Sequence, residues 1–362
     1  MSRSSTGRFA IAVLFGLVGL VAATACLRAT PPWTAPRVSV SDGWLAMGTF
    51  FEAEILVVPE EEARARTWLA WARGEIAHLE ETLSRHDPES AVSALNRRLA
   101  SPDAMRLGAQ VDADVESVLF SAIEVWEASG GAFDITVGPL VEIWARAAEI
   151  GEWPSLDVLR SAKEHVGSEG LLLLGRGALG VTKPSMQIDL DAIAKGAALD
   201  RLRASLASDL PRAAALLSLG ESSVVAIGDP GGGGWQLVAR PGESPVGPPV
   251  ELRLRDQALS VSSSIGATSE IAGERISQIV DPRTGSVIRE TVEAIVVADR
   301  ASIADAWSTA LLVIGANRTA ARLVDRAGLE ARISDSSGRY VMSEGWEDFV
   351  ARGPRGRAER AD

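Results

Sequence analysis

The order of short strand-like segments is the feature that most restricts how this chain of 362 residues can fold. From about residue 170 onward, short apolar stretches follow one another between only a few helical patterns. They lack the regular strand–helix–strand alternation that builds parallel sheets, so the sequence predicts an α+β fold with largely antiparallel strands. The predicted strands of this region lie near residues 179–183, 186–190, 213–219, 222–227, 234–240, 250–262 and 292–298, with a closing hairpin near 330–343.

Helical periodicity predicts four longer helices, at residues 60–83, 112–129, 192–207 and 303–314. Residues 44–58 are predicted to form one strand that contains Met47-Gly48-Thr49. The loops at 228–234 and 241–249 are predicted to connect hairpins. The first of them contains four consecutive glycines, but it is not predicted to bind a nucleotide phosphate, because a strand-like segment follows where a phosphate loop requires a helix.

The N-terminus has the pattern of an export signal. Two arginines precede an uncharged apolar run at residues 9–25, and Cys26, the only cysteine of the chain, follows directly. The run is short for a membrane span, so residues 1–25 are predicted to be a lipoprotein-type signal peptide and Cys26 the lipidated residue. Residues 26–42 are then a tether. The alternative is an ordinary signal that is cleaved nearby and leaves an unpaired thiol.

This interpretation predicts an exported protein on the periplasmic or extracytoplasmic face, held to the membrane by its lipid alone. Residues 43–350 are predicted to form a single domain, followed by a frayed tail at 351–362. A composition that is 46% hydrophobic allows a large core. The net charge of -12 argues against nucleic-acid binding, which requires lysine and arginine to neutralise phosphates.

Two segments predict a site for a phosphate-bearing ligand. One is the acidic turn at Asp281, which ends an apolar strand-like run. The other is the helix at 303–314, where Asp305 and Thr309 are four residues apart and so lie on one face. Oxygen ligands of this kind suit Mg²⁺, which completes its shell with waters and substrate phosphates. The alternative is that Asp305 favours a helix N-terminus and Thr309 bonds back to the helix backbone.

Two further segments contain residues suited to ligand binding. Asp189 ends a strand-like run just before Lys195, whose helix N-terminus and charge would both favour an anion. The alternative is that Lys195 is simply solvated. Phe133 lies just past a helix end, where its ring either stacks on a planar ligand or belongs to the core.

The order and spacing of these segments resemble those of the ApbE-type FAD:protein FMN transferases over roughly residues 43–345. The matching segments are Met47-Gly48-Thr49, residues 84–96 with Ser90 and Asn96, residues 131–140 from Gly131-Ala132-Phe133-Asp134 onward, residues 188–196 with Asp200, Asp281-Pro282-Arg283-Thr284-Gly285, and Ala304-Asp305-Ala306-Trp307-Ser308-Thr309-Ala310.

The resemblance implies a T-fold-like architecture with two interlocked halves and FAD between them. It also implies Mg²⁺-dependent transfer of FMN from FAD to a Ser or Thr hydroxyl of a partner protein, typically a subunit of a membrane redox complex, with release of AMP. Some members of the family instead hydrolyse FAD to FMN and AMP, and bacterial members are commonly exported lipoproteins.

The resemblance further implies roles for individual residues. The metal ligands implied are Asp305, Thr309 and a backbone carbonyl near Ala192. The FAD contacts implied are Met47, His86, Ala132, Phe133, Asp134, Asp189, Lys195 and Ile279.

Three positions depart from the family pattern around one pocket. Gln278 stands where the family usually has a histidine that activates the acceptor hydroxyl, and an amide cannot take that proton at neutral pH. Asp281 is the nearest carboxylate that could act in its place. Glu221 and the Ser260-Val261-Ser262-Ser263 segment are the other departures. FMN transfer is the favoured function, and the alternatives are an FAD pyrophosphatase and a protein that binds FAD without turnover.

Overall fold

The computed structural model describes residues 36–220, 222–240, 248–266 and 268–351. The described strands are β1 (Val38–Ala46), β2 (Thr49–Val57), β3 (Ala109–Gln110), β4 (Leu171–Gly175), β5 (Ala178–Val181), β6 (Ala214–Leu219), β7 (Ser223–Ile227), β8 (Trp235–Ala239), β9 (Val250–Leu254), β10 (Gln257–Ser263), β11 (Thr268–Ile271), β12 (Glu274–Ser277), β13 (Val292–Ala298), β14 (Glu330–Asp335) and β15 (Tyr340–Met342). The described helices are α1 (Glu62–Leu83), α2 (Ala91–Leu99), α3 (Ala104–Leu107), α4 (Ala113–Ala128), α5 (Gly138–Ile150), α6 (Leu156–Lys163), α7 (Ala194–Asp209), α8 (Ala301–Ile314) and α9 (Arg318–Arg326).

One eight-stranded sheet organises the fold, with strand order β1-β2-β6-β7-β10-β13-β14-β15. Every pairing between the described strands is antiparallel. The N-terminal and C-terminal hairpins form the two edges, so strands from both ends of the chain share this sheet. Smaller sheets are formed by β3-β5-β4, β8-β9 and β11-β12. The predicted α+β fold with largely antiparallel strands is therefore confirmed.

Three groups of buried apolar residues hold the layers together. Because side chains alternate across a strand, the sheet presents one face to α1, α7 and α8 and the other to the β8–β9 pair and Trp346, while α4 packs on α1 and α8. The helix α8 lies in the main core, and Trp307 on it is 1% exposed. The third group packs α5 and α6 against the β11–β12 hairpin and the segment that contains Val280 and Val287.

The segment 44–58 is a hairpin, not the single strand that the sequence predicts. Ala46 pairs with Thr49, and Met47 and Gly48 form the turn with φ of 48° and 70°. A positive φ is uncommon for methionine, so the sequence carries no ordinary turn signal here. The backbone N–H of Met47 donates to Glu80 Oε2 on α1 at 2.8 Å, which holds this conformation.

Three further predictions, about strands and the loops between them, are wrong. Residues 186–190 form no strand, because the side chain of Asn96 pairs with both backbone groups of Ile188, at 2.7 and 2.9 Å. The segment 250–262 is two strands, β9 and β10, separated at Asp256, which has φ of 58°. The loop 228–234 connects strands of different sheets rather than a hairpin.

The chain joins the fold earlier than predicted. Residues 38–42 were assigned to the tether by their composition, but they belong to β1 and pair with β2 from Val57 to Ala53. The described residues from Arg37 onward form one compact unit. The predicted signal peptide, Cys26 and the tail 352–362 lie outside the described residues. No helix within the described residues is long and apolar enough to cross a membrane.

Candidate active site

A close crossing of α7 and α8 at their N-termini creates the centre of the site. A Cβ placed on Gly196 would lie 2.3 Å from the carbonyl oxygen of Ala301, so only glycine permits this approach. Asp200, one turn further along α7, accepts hydrogen bonds from the N–H groups of Ala301 and Ser302 at 2.7 and 2.9 Å. A carboxylate there satisfies free N–H groups of α8 and complements its dipole. The crossing fixes where the side chains of α8 lie.

Asp305 lies on α8 directly beneath this crossing and is 5% exposed. Its Oδ2 accepts the backbone N–H of Gly196 at 3.0 Å, and its Oδ1 accepts the hydroxyls of Ser223 at 3.2 Å and Ser260 at 3.3 Å. Burial raises the pKa of Asp305, while the charge of Lys195 and these hydrogen bonds oppose the rise. A buried carboxylate in this state is stabilised by a cation.

Lys195 is half-buried at the start of α7 and is not a freely solvated lysine. Its Nζ donates to Ser222 Oγ at 3.1 Å, in the turn that precedes β7. Its charge acts on Asp305, so the structure brings the two predicted residues together. A positive charge at a helix N-terminus favours an anion, and a buried carboxylate favours a cation.

Asp305 and Thr309 present oxygen atoms of the kind that Mg²⁺ binds. Thr309 is half-buried one turn further along α8, and its hydroxyl makes no hydrogen bond within the described residues. Ala192 is half-buried just before α7. No cluster of three or more His, Cys, Asp or Glu side chains suited to a metal occurs in the described part of the chain. One carboxylate, one hydroxyl and one carbonyl suit Mg²⁺, which keeps several waters and binds substrate phosphates.

A second polar cluster joins the 84–88 turn to the residues that precede α7. The Nε atom of Arg85 lies 3.1 Å from carboxylate oxygens of both Asp189 and Asp191. His86 is exposed, and its Nε2 lies 3.3 Å from Asp191. Burial and the charge of Asp191 raise the pKa of Asp189, against the opposing charge of Arg85. Sequence reasoning missed Arg85, although an arginine beside His86 and a nearby acidic pair were visible signals.

The loop after α4 has a structural role that the sequence left open. Phe133 is 4% exposed and Ala132 1%, so Phe133 belongs to the core, as the alternative interpretation held. Asp134 accepts hydrogen bonds from Thr136 N and Oγ1, and from Ser168 N and Oγ, at 2.6 to 3.0 Å. These bonds tie two loops together. Contacts of this loop with FAD stay predictions.

The hairpin tip at Met47 borders the Lys195 side of the site. Met47 is half-buried against the main core. A Cβ placed on Gly220 would lie 2.6 Å from Thr49 Oγ1, so the β1–β2 tip contacts the turn between β6 and β7. Ser222 in that turn bonds Lys195. Glu221, the residue between Gly220 and Ser222, lies outside the described part of the chain.

The loop after β12 contains Gln278 and Asp281, which the sequence predicts to act on the acceptor hydroxyl, and Ile279, a predicted FAD contact. Gln278 is exposed and donates through Nε2 to Ser269 Oγ at 3.2 Å. Ile279 is half-buried against the main core. Asp281 is held by Arg283, whose Nε and Nη2 donate to its two oxygens at 2.9 and 3.1 Å. Both oxygens of the Asp281 carboxylate are therefore already occupied by the guanidinium of Arg283.

This loop is anchored to α5 and lies beside the loop after α4. Trp144 Nε1 donates to the carbonyl oxygen of Gly285 at 2.9 Å. A Cβ placed on Gly131 would lie 3.7 Å from Cγ of Arg283. The structure therefore brings residues 131–134 and 281–285 together, as expected of two segments of one site.

The chain is similar in sequence to known proteins over most of its length. The chain is 31% identical over 334 residues to the FAD:protein FMN transferase of Rhodobacter capsulatus, an alignment that covers 86% of this chain and 58% of that protein. This chain therefore spans less than two thirds of that relative. It is 28% identical over 307 residues to the FAD:protein FMN transferase of Klebsiella pneumoniae, with 83% of this chain and 85% of that protein covered.

The fold has solved counterparts. The ApbE protein of Thermotoga maritima superimposes with a TM-score of 0.74 at 24% identity, covering 88% of this chain and 100% of that chain. The flavin transferase ApbE of Vibrio cholerae gives a TM-score of 0.71 at 21% identity, with 87% and 100% covered. These likenesses show the fold. The sequence model of the ApbE family matches residues 47–333, and the chain belongs to that family.

Proposed function

We propose that this protein transfers FMN from FAD to a Ser or Thr hydroxyl of a partner protein, with Mg²⁺ as cofactor and AMP as the second product. The observation that carries the proposal is the buried Asp305, held beside Lys195, with a Thr309 hydroxyl one turn away that makes no hydrogen bond to any described residue. Relatives with the name FAD:protein FMN transferase support the same activity.

In this reaction the acceptor oxygen forms a bond to the FMN phosphorus. The bond from that phosphorus to the bridging oxygen of the diphosphate breaks, and AMP leaves with that oxygen. When bound, Mg²⁺ would neutralise charge on the phosphate oxygens. Asp305, Thr309 and the carbonyl of Ala192 would hold it. Lys195 supplies a fixed positive charge to the diphosphate at the start of α7.

Removal of the acceptor proton is the step for which this chain is least equipped. Gln278 is exposed and able to orient a hydroxyl, but an amide does not accept its proton. Asp281 is the nearest carboxylate along the chain, and both of its oxygens accept hydrogen bonds from Arg283. This departure favours a second candidate function, FAD binding without turnover. Hydrolysis of FAD to FMN and AMP, with water as acceptor, is the third.

One experiment separates the three functions. Purified protein is incubated with FAD and Mg²⁺, with and without an exported candidate acceptor that carries a flavinylation-type Ser/Thr motif and is encoded beside this chain. AMP that forms only with the acceptor, together with covalent flavin on it, supports transfer. AMP without the acceptor supports hydrolysis. Bound FAD without AMP in either case supports a carrier and contradicts the proposal.

We also propose that the protein is exported and anchored through a lipid on Cys26, on the periplasmic or extracytoplasmic face. The acceptor is then a subunit of a membrane redox complex within reach of the tether. This rests on the N-terminal sequence pattern, which lies outside the described residues. The Cys26→Ser variant is expected to appear in the soluble fraction of fractionated cells, whereas the wild type appears in the membrane fraction. Unchanged membrane association would contradict the anchor.

A further inference from the structure

Three serines form a buried hydroxyl network behind the carboxylate of Asp305. Ser223 is 1% exposed, and Ser260 and Ser308 are 0% exposed. Ser223 and Ser260 each contact Oδ1 of Asp305, whereas Ser308 donates to the backbone carbonyl of Asp305 at 2.8 Å. We propose that Ser223 and Ser260 are positioning residues that orient the Asp305 carboxylate for a divalent cation. This inference rests on the Mg²⁺ dependence of the proposed function.

The hydrogen bonds to Asp305 leave one position on its carboxylate for a cation. Its two oxygens offer about four lone-pair sites. Two sites on Oδ1 face the hydroxyls of Ser223 and Ser260, and one on Oδ2 faces the N–H of Gly196. The site that remains is on Oδ2. Asp305 is therefore set to bind a cation through one oxygen, in an orientation that the two hydroxyls hold.

Burial makes these hydroxyls hard to replace. Ser223, Ser260 and Asp305 are each at most 5% exposed, so bulk water does not take the place of a deleted hydroxyl. Partners that hydrogen-bond to a ligating side chain fix its orientation, and losing them typically weakens metal binding by about 10- to 100-fold. The same order of loss is expected here.

Ser262 provides a matched control in the same network. It lies two residues after Ser260 on β10, and its Oγ lies 2.7 Å from that of Ser308. It shares the partner Ser308 with Ser260, whose Oγ is 3.0 Å from the same atom, but its hydroxyl makes no hydrogen bond to Asp305 within the described residues. Removing it tests whether the network in general, or contact with the carboxylate, determines cation binding.

The test measures Mn²⁺ binding by electron paramagnetic resonance, which detects free Mn²⁺ and needs no turnover. The Ser223→Ala/Ser260→Ala double variant is expected to bind Mn²⁺ about 10- to 100-fold more weakly than the wild type. Ser262→Ala is expected to bind as the wild type does. Ser260→Thr, which restores a hydroxyl, is expected to recover most of the affinity lost in Ser260→Ala.

The outcomes separate a positioning role of Ser223 and Ser260 from a purely structural one. Circular dichroism and urea unfolding establish that the variants are folded, and the two single alanine variants serve if the double variant is not. A folded variant with a lower unfolding midpoint and unchanged Mn²⁺ affinity would overturn the positioning role. Equal loss in Ser262→Ala would also overturn it. Absence of Mn²⁺ binding by the wild type, both with and without FAD, would overturn the metal dependence of the proposed function as well.

Discussion

The α7–α8 crossing permits a sharp test through Gly196→Ala. The added methyl would lie 2.3 Å from the carbonyl oxygen of Ala301 and 2.7 Å from Cα of Ser302, and both are backbone atoms of α8. The helices must therefore separate. Overpacking of this kind costs about 1–3 kcal/mol. Separation also stretches the hydrogen bond from Gly196 N–H to the Asp305 carboxylate, and bonds to charged groups are worth about 1.5–3 kcal/mol.

The intrinsic preference of alanine for helices acts in the opposite direction. Alanine is more favourable than glycine inside a helix by about 1 kcal/mol. The net expected loss for Gly196→Ala is about 1.5–5 kcal/mol of unfolding free energy. Urea denaturation followed by tryptophan fluorescence measures it, because the chain has ten tryptophans.

Gly74→Ala is the matched control for this experiment. Gly74 is an exposed residue inside α1, and a Cβ built there meets no atom within 4 Å. The same substitution is therefore expected to stabilise the protein by about 0.5–1 kcal/mol. The two variants should shift the urea midpoint in opposite directions. A Gly196→Ala protein as stable as the wild type would refute the reasoning that the crossing tolerates no side chain.

Three further predictions concern the cap of α8, an acid-sensitive turn and the acceptor loop. Asp200→Ala removes the acceptor for two backbone N–H groups of α8 and is expected to lower the unfolding free energy by about 2 kcal/mol in urea titrations, whereas Asp200→Asn should retain part of it. The hydroxyl of Ser337 and other donors lower the pKa of Asp335 to about 2, so this carboxylate stabilises the fold above its unfolded pKa of about 3.9. Above pH of about 3.9 the wild type should therefore have a higher urea midpoint than Asp335→Asn, and this difference in midpoint should disappear as the pH falls through 2. A difference in midpoint that stays the same at every pH would contradict this. Gln278→His is expected to raise the rate of FMN transfer by about 10²–10⁴. The pH profile of that rate should gain a limb near the imidazole pKa of about 6.5, and an unchanged rate would show that the missing base is not limiting.

Local sequence patterns predicted the parts of the fold that depend on neighbours along the chain. The periodicity of 303–314 gave α8 within two residues, and the spacing of Asp305 and Thr309 placed both on it. The hairpin tip at Met47 was missed because a carboxylate 33 residues away supports its positive φ. The strand predicted at 186–190 failed because a side chain, rather than a strand, pairs with its backbone.

In the site, too, local patterns identified single residues but not the contacts between distant segments. Asp305 was identified from its own helix, but the groups that hold it come from positions 45, 82 and 109 residues away. Nothing in the local pattern of Ser223, Ser260 or Gly196 shows that they converge, because sheet pairing and helix crossing bring them together. The pairing of Arg85 with Asp189, from segments about a hundred residues apart, was missed for the same reason.

The two sides of the site differ in how tightly the fold determines them. Asp305 and its partners are buried between the sheet and two crossing helices, so a change there is expected to alter stability together with the proposed cation binding. Gln278 is exposed on a loop that Trp144 anchors to the smaller core group of α5 and α6, so a change there leaves the main core intact. This difference explains how the chain departs from the family pattern at the acceptor side without losing the fold. It also implies that bond cleavage at the diphosphate and proton removal from the acceptor vary independently. Gln278→His should therefore change the transfer rate while Mn²⁺ affinity stays constant, and a parallel change in both would show that the two sides are coupled.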